Sequence, residues 1–361
     1  MDISQRKIVR VGGLNFGDGN VFVQSMLNAG ADDVNANIAQ AQRLIEAGCE
    51  VIRVAVPTVD DVGLIYALKE AVTPPKNRAN PIPIVADIHF DYRIAVEAVR
   101  AGADKIRINP GNIGDNDRVK AVVNACKTAG IPIRVGVNSG SVKTDKSGKA
   151  GKADKNGINC ISGIVQSALD NIKLLEGFDF DDIIVSVKSS NVVETIAAYR
   201  ELARLTRYPL HLGVTEAGTR RMGIVKSAVG IGSLLCDGIG DTIRVSLTAE
   251  PEREVEAAFD ILSACGRRKG VEIISCPTCG RCKIDVVSLA EKVEVLTRGI
   301  NKPVKIAVMG CAVNGPGECK DADFGITGGD GVGLVFRHGE IVKKVHESEL
   351  LNALNEQLTN S

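Results

Sequence analysis

Residues 1–250 alternate between two hydrophobic rhythms. Short β-branched runs are each followed by a polar turn, then by apolar positions every three to four residues, then by Gly or Pro. The runs with strand character are VFVQSM (21–26), EVIRVAV (50–56), IPIVADI (82–88), KIRIN (105–109), PIRVGVN (132–138), DIIVSVK (182–188), LHLGVTE (210–216) and DTIRVSL (241–247). The intervening segments read as helices. In the first of them Val34, Ile38, Ala41, Leu44 and Ile45 share one helical face. Asp32 is placed to cap its start and Gly48 to end it. The same ending recurs at Ala101-Gly102 and Ala129-Gly130.

Eight strand–helix units of similar size predict an α/β fold, a (β/α)8 TIM barrel. A doubly wound open sheet is disfavoured, because no Gly-rich fingerprint follows the first strand. The leading segment KIVRVGGLNFGDGNVF predicts a hairpin that plugs the bottom of the barrel, with Asp18-Gly19 as its turn. The low-complexity stretch TDKSGKAGKADKNG (144–157) follows the fifth strand and so belongs to the top face. It reads as a solvated loop, with a lid over the site as the functional alternative. Beyond REVEAAFDILSACGRRKG the rhythm changes. Strand VEIIS, helix IDVVSLAEKVEVLTRG, strand VKIAVMG, hairpin GVGLVFRHGEIVKKV and a closing helix from Glu347 predict a smaller α+β domain. The expected division is 1–265 for the barrel and 266–361 for the second domain. GITGGDGVG reads as hairpin turns, not a phosphate loop, since no helix follows it directly.

Composition narrows the function classes. A chain of 361 residues with 44% apolar content supports two domains and a sizeable core. Basic and acidic residues balance at 44 each, so no overall charge draws the chain to nucleic acid or a membrane surface. Aromatics make up 3% and Trp is absent, so base-stacking platforms are poorly supplied. The start, MDISQRKIVRVGG, lacks the apolar core of a signal peptide, and no run of about 18 apolar residues occurs. The expectation is a cytoplasmic protein with reduced thiols. Of ten cysteines, Cys49, Cys126, Cys160 and Cys236 are scattered and read as small buried hydrophobes. The other six crowd into residues 265–319.

Four strands share one phrase, VIRVAV, KIRIN, PIRVGV and TIRVSL. If Ile52 and Val54 face the helices, period two turns Arg53 into the barrel. The same reasoning covers Arg107, Arg134 and Arg244, and Lys188 ends the sixth strand in the same class of position. Ala55, Asn109, Gly136 and Ser246 stand two residues on and leave room above these cations. Buried charge is costly unless paired, and the strand ends offer only Asp87 and Glu216. The five cations therefore predict a site for a doubly charged anion such as a diphosphate, at the face where barrel enzymes carry their sites. Asp87 and Glu216 are candidate proton donors. His89 reads either as a polar contact in the site or as a helix cap. Asn109, Asn112 and Asn138 are candidates for hydroxyl or phosphate contacts.

In CPTCGRC (276–282), Cys276 and Cys279 have metal-ligand spacing, which Cys282 extends without the C-x3-C-P of bacterial ferredoxins. Cys311 follows the next strand, in GCAVNGPGEC. The turn at Gly315-Pro316-Gly317 is suited to bring Glu318 or Cys319 back to the same metal. Spacing leaves both zinc on four thiolates and an iron–sulfur cluster open.

VQSM (23–26), ADIHF (86–90), VNSGS (137–141), TEAGT (215–219), CPTCGR and CAVNGPGE occur in this order. With them the chain resembles, over essentially its whole length, the 4-hydroxy-3-methylbut-2-enyl diphosphate synthase family of the methylerythritol phosphate route to isoprenoids, in its two-domain bacterial form. The resemblance implies a [4Fe–4S] cluster held by Cys276, Cys279, Cys311 and Glu318. It implies 2-C-methyl-D-erythritol 2,4-cyclodiphosphate as substrate, opened reductively and dehydroxylated with two electrons from reduced ferredoxin or flavodoxin. It also implies a head-to-tail homodimer. On that reading Arg53, Arg107, Arg134, Lys188 and Arg244 hold the diphosphate, with Asp87, His89, Asn109, Asn138 and Ser246 as further substrate contacts. Glu216 gives a proton to the departing oxygen, and Glu318 gives way to a substrate oxygen. The chain departs from the family pattern at Cys282 and Cys319. Two rival functions follow from the residues alone. One is a zinc-stabilised barrel enzyme acting on a phosphorylated sugar without redox chemistry. The other is an electron-transfer module, which five inward cations disfavour.

Overall fold

The computed structural model describes residues 6–72, 81–138, 158–298, 300, 302–311 and 319–360, with the backbone alone at 138, 158–162 and 319. The chain divides into two compact units, Met1–Arg267 and Arg268–Ser361. No described helix is long and apolar enough to cross a membrane.

The first unit opens with a hairpin, β1 (Val9–Val11) and β2 (Leu14–Phe16). Its turn falls at Gly12-Gly13, with Gly12 in the left-handed region at φ +55°. The sequence pointed instead to Asp18-Gly19, but Asp18 spends its carboxylate on Asn20 N–H in a local turn after the hairpin. Val9, Val11 and Phe16 pack with Phe22, Val51, Val85 and Ile184, which gives the hairpin a hydrophobic reason to sit against the barrel strands.

Eight parallel strands follow: β3 (Phe22–Met26), β4 (Val51–Ala55), β5 (Ile84–Asp87), β6 (Lys105–Ile108), β7 (Ile133–Asn138), β8 (Ile183–Lys188), β9 (His211–Leu212) and β10 (Thr242–Ile243). They pair in the order β8-β7-β6-β5-β4-β3-β10-β9, and a bridge between Val185 and Leu210 joins the two ends. The sheet is thus a TIM barrel, each strand followed by helix. In the first helix, Val34–Glu46, the cap is Asp33, which accepts from Ala36 N–H at 2.9 Å, one residue later than the sequence pattern placed it. Cys49 and Cys126 are buried as expected, whereas Cys236 is exposed, because it is the last residue of its helix and lies beyond the core.

The second unit has a five-stranded sheet, β11 (Val271–Ser275), β12 (Val304–Met309), β13 (Phe324–Gly329), β14 (Val332–Arg337) and β15 (Glu340–His346), in sequence order. The first three run parallel and the last two antiparallel. Helices Val286–Thr297 and Leu350–Thr359 bury Val286, Val293, Leu350 and Leu354 against Ile306, Val308 and Ile326. The glycine-rich segment is hairpin, as its turn residues predicted, with β13 and β14 meeting at Asp330-Gly331.

Candidate active site in the barrel and thiols of the second unit

The barrel interior follows from pleat alone. Register places Arg53 opposite Val85, Asp87 opposite Arg107, and Arg107 opposite Arg134, so these side chains share the inner face. Arg53, Arg107, Arg134 and Lys188 are all nearly inaccessible, at 8% exposure or less. Two glycines, one in β7 and one just after β9, make room for them. A Cβ at Gly136 would meet Arg107 Nε at 2.8 Å, and one at Gly213 would meet Lys188 Nζ at 2.7 Å.

The cations are not equally paired. Asp87 sits between two of them, accepting from Arg53 Nη2 at 2.5 Å and from Arg107 Nη1 at 3.2 Å, with His89 Nε2 at 3.2 Å. Burial alone would raise the Asp87 carboxyl, but the charges of Arg53 and Arg107 and the His89 contact outweigh it and hold it far below the usual carboxylate range. The pairing thus favours the ionised form of Asp87, which suits it to bracing Arg53 and Arg107. Arg244 pairs with Glu254 at 3.3 Å, and Glu254 also accepts from Leu247 N–H at 2.9 Å. Glu254 escaped the sequence reading because it comes from the first turn of helix Pro251–Ala264, not from a strand end.

Arg134 and Lys188 have no such partner among the described residues. Arg134 Nε and Nη1 are buried and unbonded. Lys188 is pushed well below its ordinary value by burial, then by Arg134, Arg244, Arg53 and Arg107. Five basic side chains thus surround a cavity of about 350 Å³, and the carboxylates paired with them are Asp87, on Arg53 and Arg107, and Glu254, on Arg244. Ser186, Ser246, Thr215, Glu216 and Thr248 complete much of its lining.

Glu216 is exposed at this cavity and has φ +52°. A non-glycine residue in the left-handed region is strained, and here the rim maintains it. Thr219 bridges Thr248, and Thr248 N–H donates to Gly218 O at 3.1 Å, so the segments after β9 and β10 hold each other. Other expected contacts lie elsewhere. His89 is largely exposed and reaches the site only through Asp87. Asn109 lies outside the cavity lining and caps helix Pro110–Ile113, accepting from Gly111 N–H at 3.2 Å. Asn112 is exposed in that short helix. The side chain of Asn138, the stretch 144–157 and Glu318 lie outside the described residues.

A deeper layer was missed altogether. Lys105 is fully buried, its Nζ unbonded and 4.7 Å from the centre of the Phe16 ring. Burial, then Arg134 and Arg53, push it well below its ordinary value. His211, also fully buried, contacts Thr242 Oγ1 through Nδ1 at 2.9 Å. Lys105 opens KIRIN and His211 stands second in LHLGVTE, both on the inward phase, so period two extended one step down would have found them.

In the second unit Cys276 and Cys311 follow the C-terminal ends of β11 and β12, which are neighbours in the sheet. Cys276 Sγ accepts from Gly310 N–H at 3.3 Å. Cys279 is exposed, and an Arg281 backbone hydrogen bond, aided by the Arg281 side chain, lowers its thiol from the ordinary value. Cys282 differs from these. Its Sγ donates to Ile284 O at 3.1 Å and lies where a Cβ on Gly310 would come within 2.4 Å. No group of three or more His, Cys, Asp or Glu among the described residues is gathered as a metal site.

Fold and site define a TIM barrel with a cavity lined by basic side chains, followed by a domain whose thiols stand on strand-end loops. The chain belongs to the GcpE family: residues 6–259 match the GcpE TIM-barrel domain and residues 272–360 the GcpE protein C-terminal domain. It is 52% identical over 361 residues, covering 99% of this chain and 98% of the relative, to 4-hydroxy-3-methylbut-2-en-1-yl diphosphate synthase (flavodoxin) of Caldanaerobacter subterraneus subsp. tengcongensis. It is 50% identical over 98% of its length to the protein of the same name from Fusobacterium nucleatum subsp. nucleatum, covering 96% of that relative. Among solved structures, dihydropteroate synthase from Xanthomonas albilineans matches with a TM-score of 0.52 at 17% identity, over 72% of this chain and 97% of that one. At that identity the likeness is one of barrel fold.

Proposed function

We propose that this chain reductively opens 2-C-methyl-D-erythritol 2,4-cyclodiphosphate and removes a hydroxyl to give 4-hydroxy-3-methylbut-2-enyl diphosphate in isoprenoid biosynthesis, with flavodoxin as electron donor. The observation that carries the reading is the excess of buried cation: Arg134 and Lys188 lack carboxylate partners inside a barrel-mouth cavity. A diphosphate supplies the missing charge, and Arg forks match its oxygens. Asp87 and Glu254 hold Arg53, Arg107 and Arg244 in place before substrate arrives, so little reorganisation is needed on binding.

The thiols of the second unit fit a [4Fe–4S] cluster. Two leave neighbouring strand ends, one of them already accepting a backbone N–H, and the third is exposed with a lowered pKa. We assign Cys276, Cys279, Cys311 and Glu318 as its ligands. When bound, such a cluster would supply electrons one at a time together with Lewis acidity. The zinc-stabilised, non-redox alternative is not favoured, since the relatives are named for flavodoxin-dependent synthesis. Within the barrel, Glu216 gives a proton to the oxygen that leaves as water, while Asp87, whose ionised form is favoured by Arg53 and Arg107, braces those arginines. Ser246 contacts the substrate from the cavity wall. The family's head-to-tail homodimer belongs to the same reading. The test is anaerobic incubation of the purified protein with the cyclodiphosphate and a chemical reductant. Formation of 4-hydroxy-3-methylbut-2-enyl diphosphate is expected, and unchanged substrate with an intact cluster would overturn the assignment.

A further inference from the structure

Two thiols outside both sites meet at the ends of consecutive barrel helices. Cys236 is the last residue of helix Arg220–Cys236, and Cys265 caps the C-terminus of helix Pro251–Ala264. Both helices follow parallel strands, so both ends lie at the bottom of the barrel, away from its cavity. Cys265 Sγ lies 3.7 Å from Gly232 O, and a Cβ on Gly232 would stand 3.5 Å from that sulfur. Gly232 is one turn before Cys236, and helical side chains lean toward the preceding turn, which brings the Cys236 side chain over the same spot. Cys236 is accordingly among the neighbours that raise the Cys265 thiol. Cys236 is exposed and Cys265 half-buried, so solvent reaches the pair from the Cys236 side.

We propose that Cys236 and Cys265 form a reversible regulatory disulfide, closed by peroxide and opened by a low-molecular-weight thiol. In the first step Cys236 sulfur attacks peroxide, breaking its O–O bond and becoming a sulfenic acid as one water leaves. Cys265 sulfur then displaces the hydroxyl of that sulfenic acid, its thiol proton leaving with it as a second water. Two thiols lose two electrons in total and one peroxide gains them. The pair rests in the reduced form. Burial and the contact with Cys236 raise the Cys265 thiol to about 11, and a helix C-terminus disfavours a thiolate. The bond would lock the end of the last barrel helix to the helix before it, three residues ahead of Arg268, where the second unit begins.

The test is peptide mapping of the full-length protein after peroxide treatment, thiol blocking and trypsin digestion without reductant. Cleavage after Lys226, Arg244, Arg253 and Arg267 puts the two cysteines in separate peptides, 227–244 and 254–267. The expected product is one species joining them, lighter than their sum by two hydrogen atoms and restored to two peptides by thiol. Cys265→Ser should abolish that species and leave Cys236 as sulfinic acid. Recovery of both peptides blocked and unlinked, or linkage of either cysteine to another partner, would overturn the proposal.

Discussion

The barrel and the second unit carry their chemistry in opposite ways. In the barrel, the charged side chains stand on strands, pinned by ladder register and braced by Asp87 and Glu254. In the second unit, Cys276, Cys279 and Cys311 stand on segments that leave the strand ends. A strand site is complete in the folded chain, because pleat and pairing aim each side chain whether or not a ligand is present. A loop site depends on the group it binds to gather it.

The largest effect that would break this contrast lies in the loops. Cys276→Ser should reduce anaerobic turnover to background and lower iron content with it, whereas Cys282→Ala should retain both. Iron analysis beside activity checks this, and loss of iron in Cys282→Ala would mean that its packed sulfur is a ligand after all. Glu216→Gln, on the strained rim of the barrel, should lower kcat about 10²- to 10⁴-fold with KM little changed, as expected for loss of a proton donor. Steady-state kinetics with a chemical reductant separates the two parameters.

A smaller effect sharpens the barrel side. Lys105 holds its proton less readily when folded than when unfolded. Unfolding therefore takes up a proton between its depressed folded value and about pH 10.4, and stability rises with pH across that window. Lys105→Met should remove one proton's share of that slope, about 1.4 kcal/mol per pH unit. Urea titrations at several pH values read it directly, and an unchanged slope would place the proton dependence elsewhere.

The same contrast governs what the sequence made legible. The four I-R-V or I-R-I phrases and Lys188 could be placed because period two fixes a strand side chain's direction without any knowledge of partners. What compensates those cations was half visible. Asp87 shares their strand pattern, but Glu254 arrives from a helix's first turn, and no local rhythm links it to Arg244. Asn109 looked equivalent to Ser246, yet the chain turns into helix Pro110–Ile113 at once, and its amide caps that helix. Cys282 shared its neighbours' spacing, and only packing against Gly310 and the bond to Ile284 O set it apart. Spacing names candidates for a loop site, whereas contacts decide among them.

The central claim is that the unpaired barrel cations await a diphosphate. Calorimetric titration of 2-C-methyl-D-erythritol 2,4-cyclodiphosphate into the wild-type protein and into Arg134→Met tests it most directly. Losing charge-assisted hydrogen bonds of about 1.5–3 kcal/mol should weaken binding roughly 10- to 150-fold. The urea midpoint should hold or rise, because the variant no longer buries an uncompensated cation. Equal affinity in the two proteins would contradict the account.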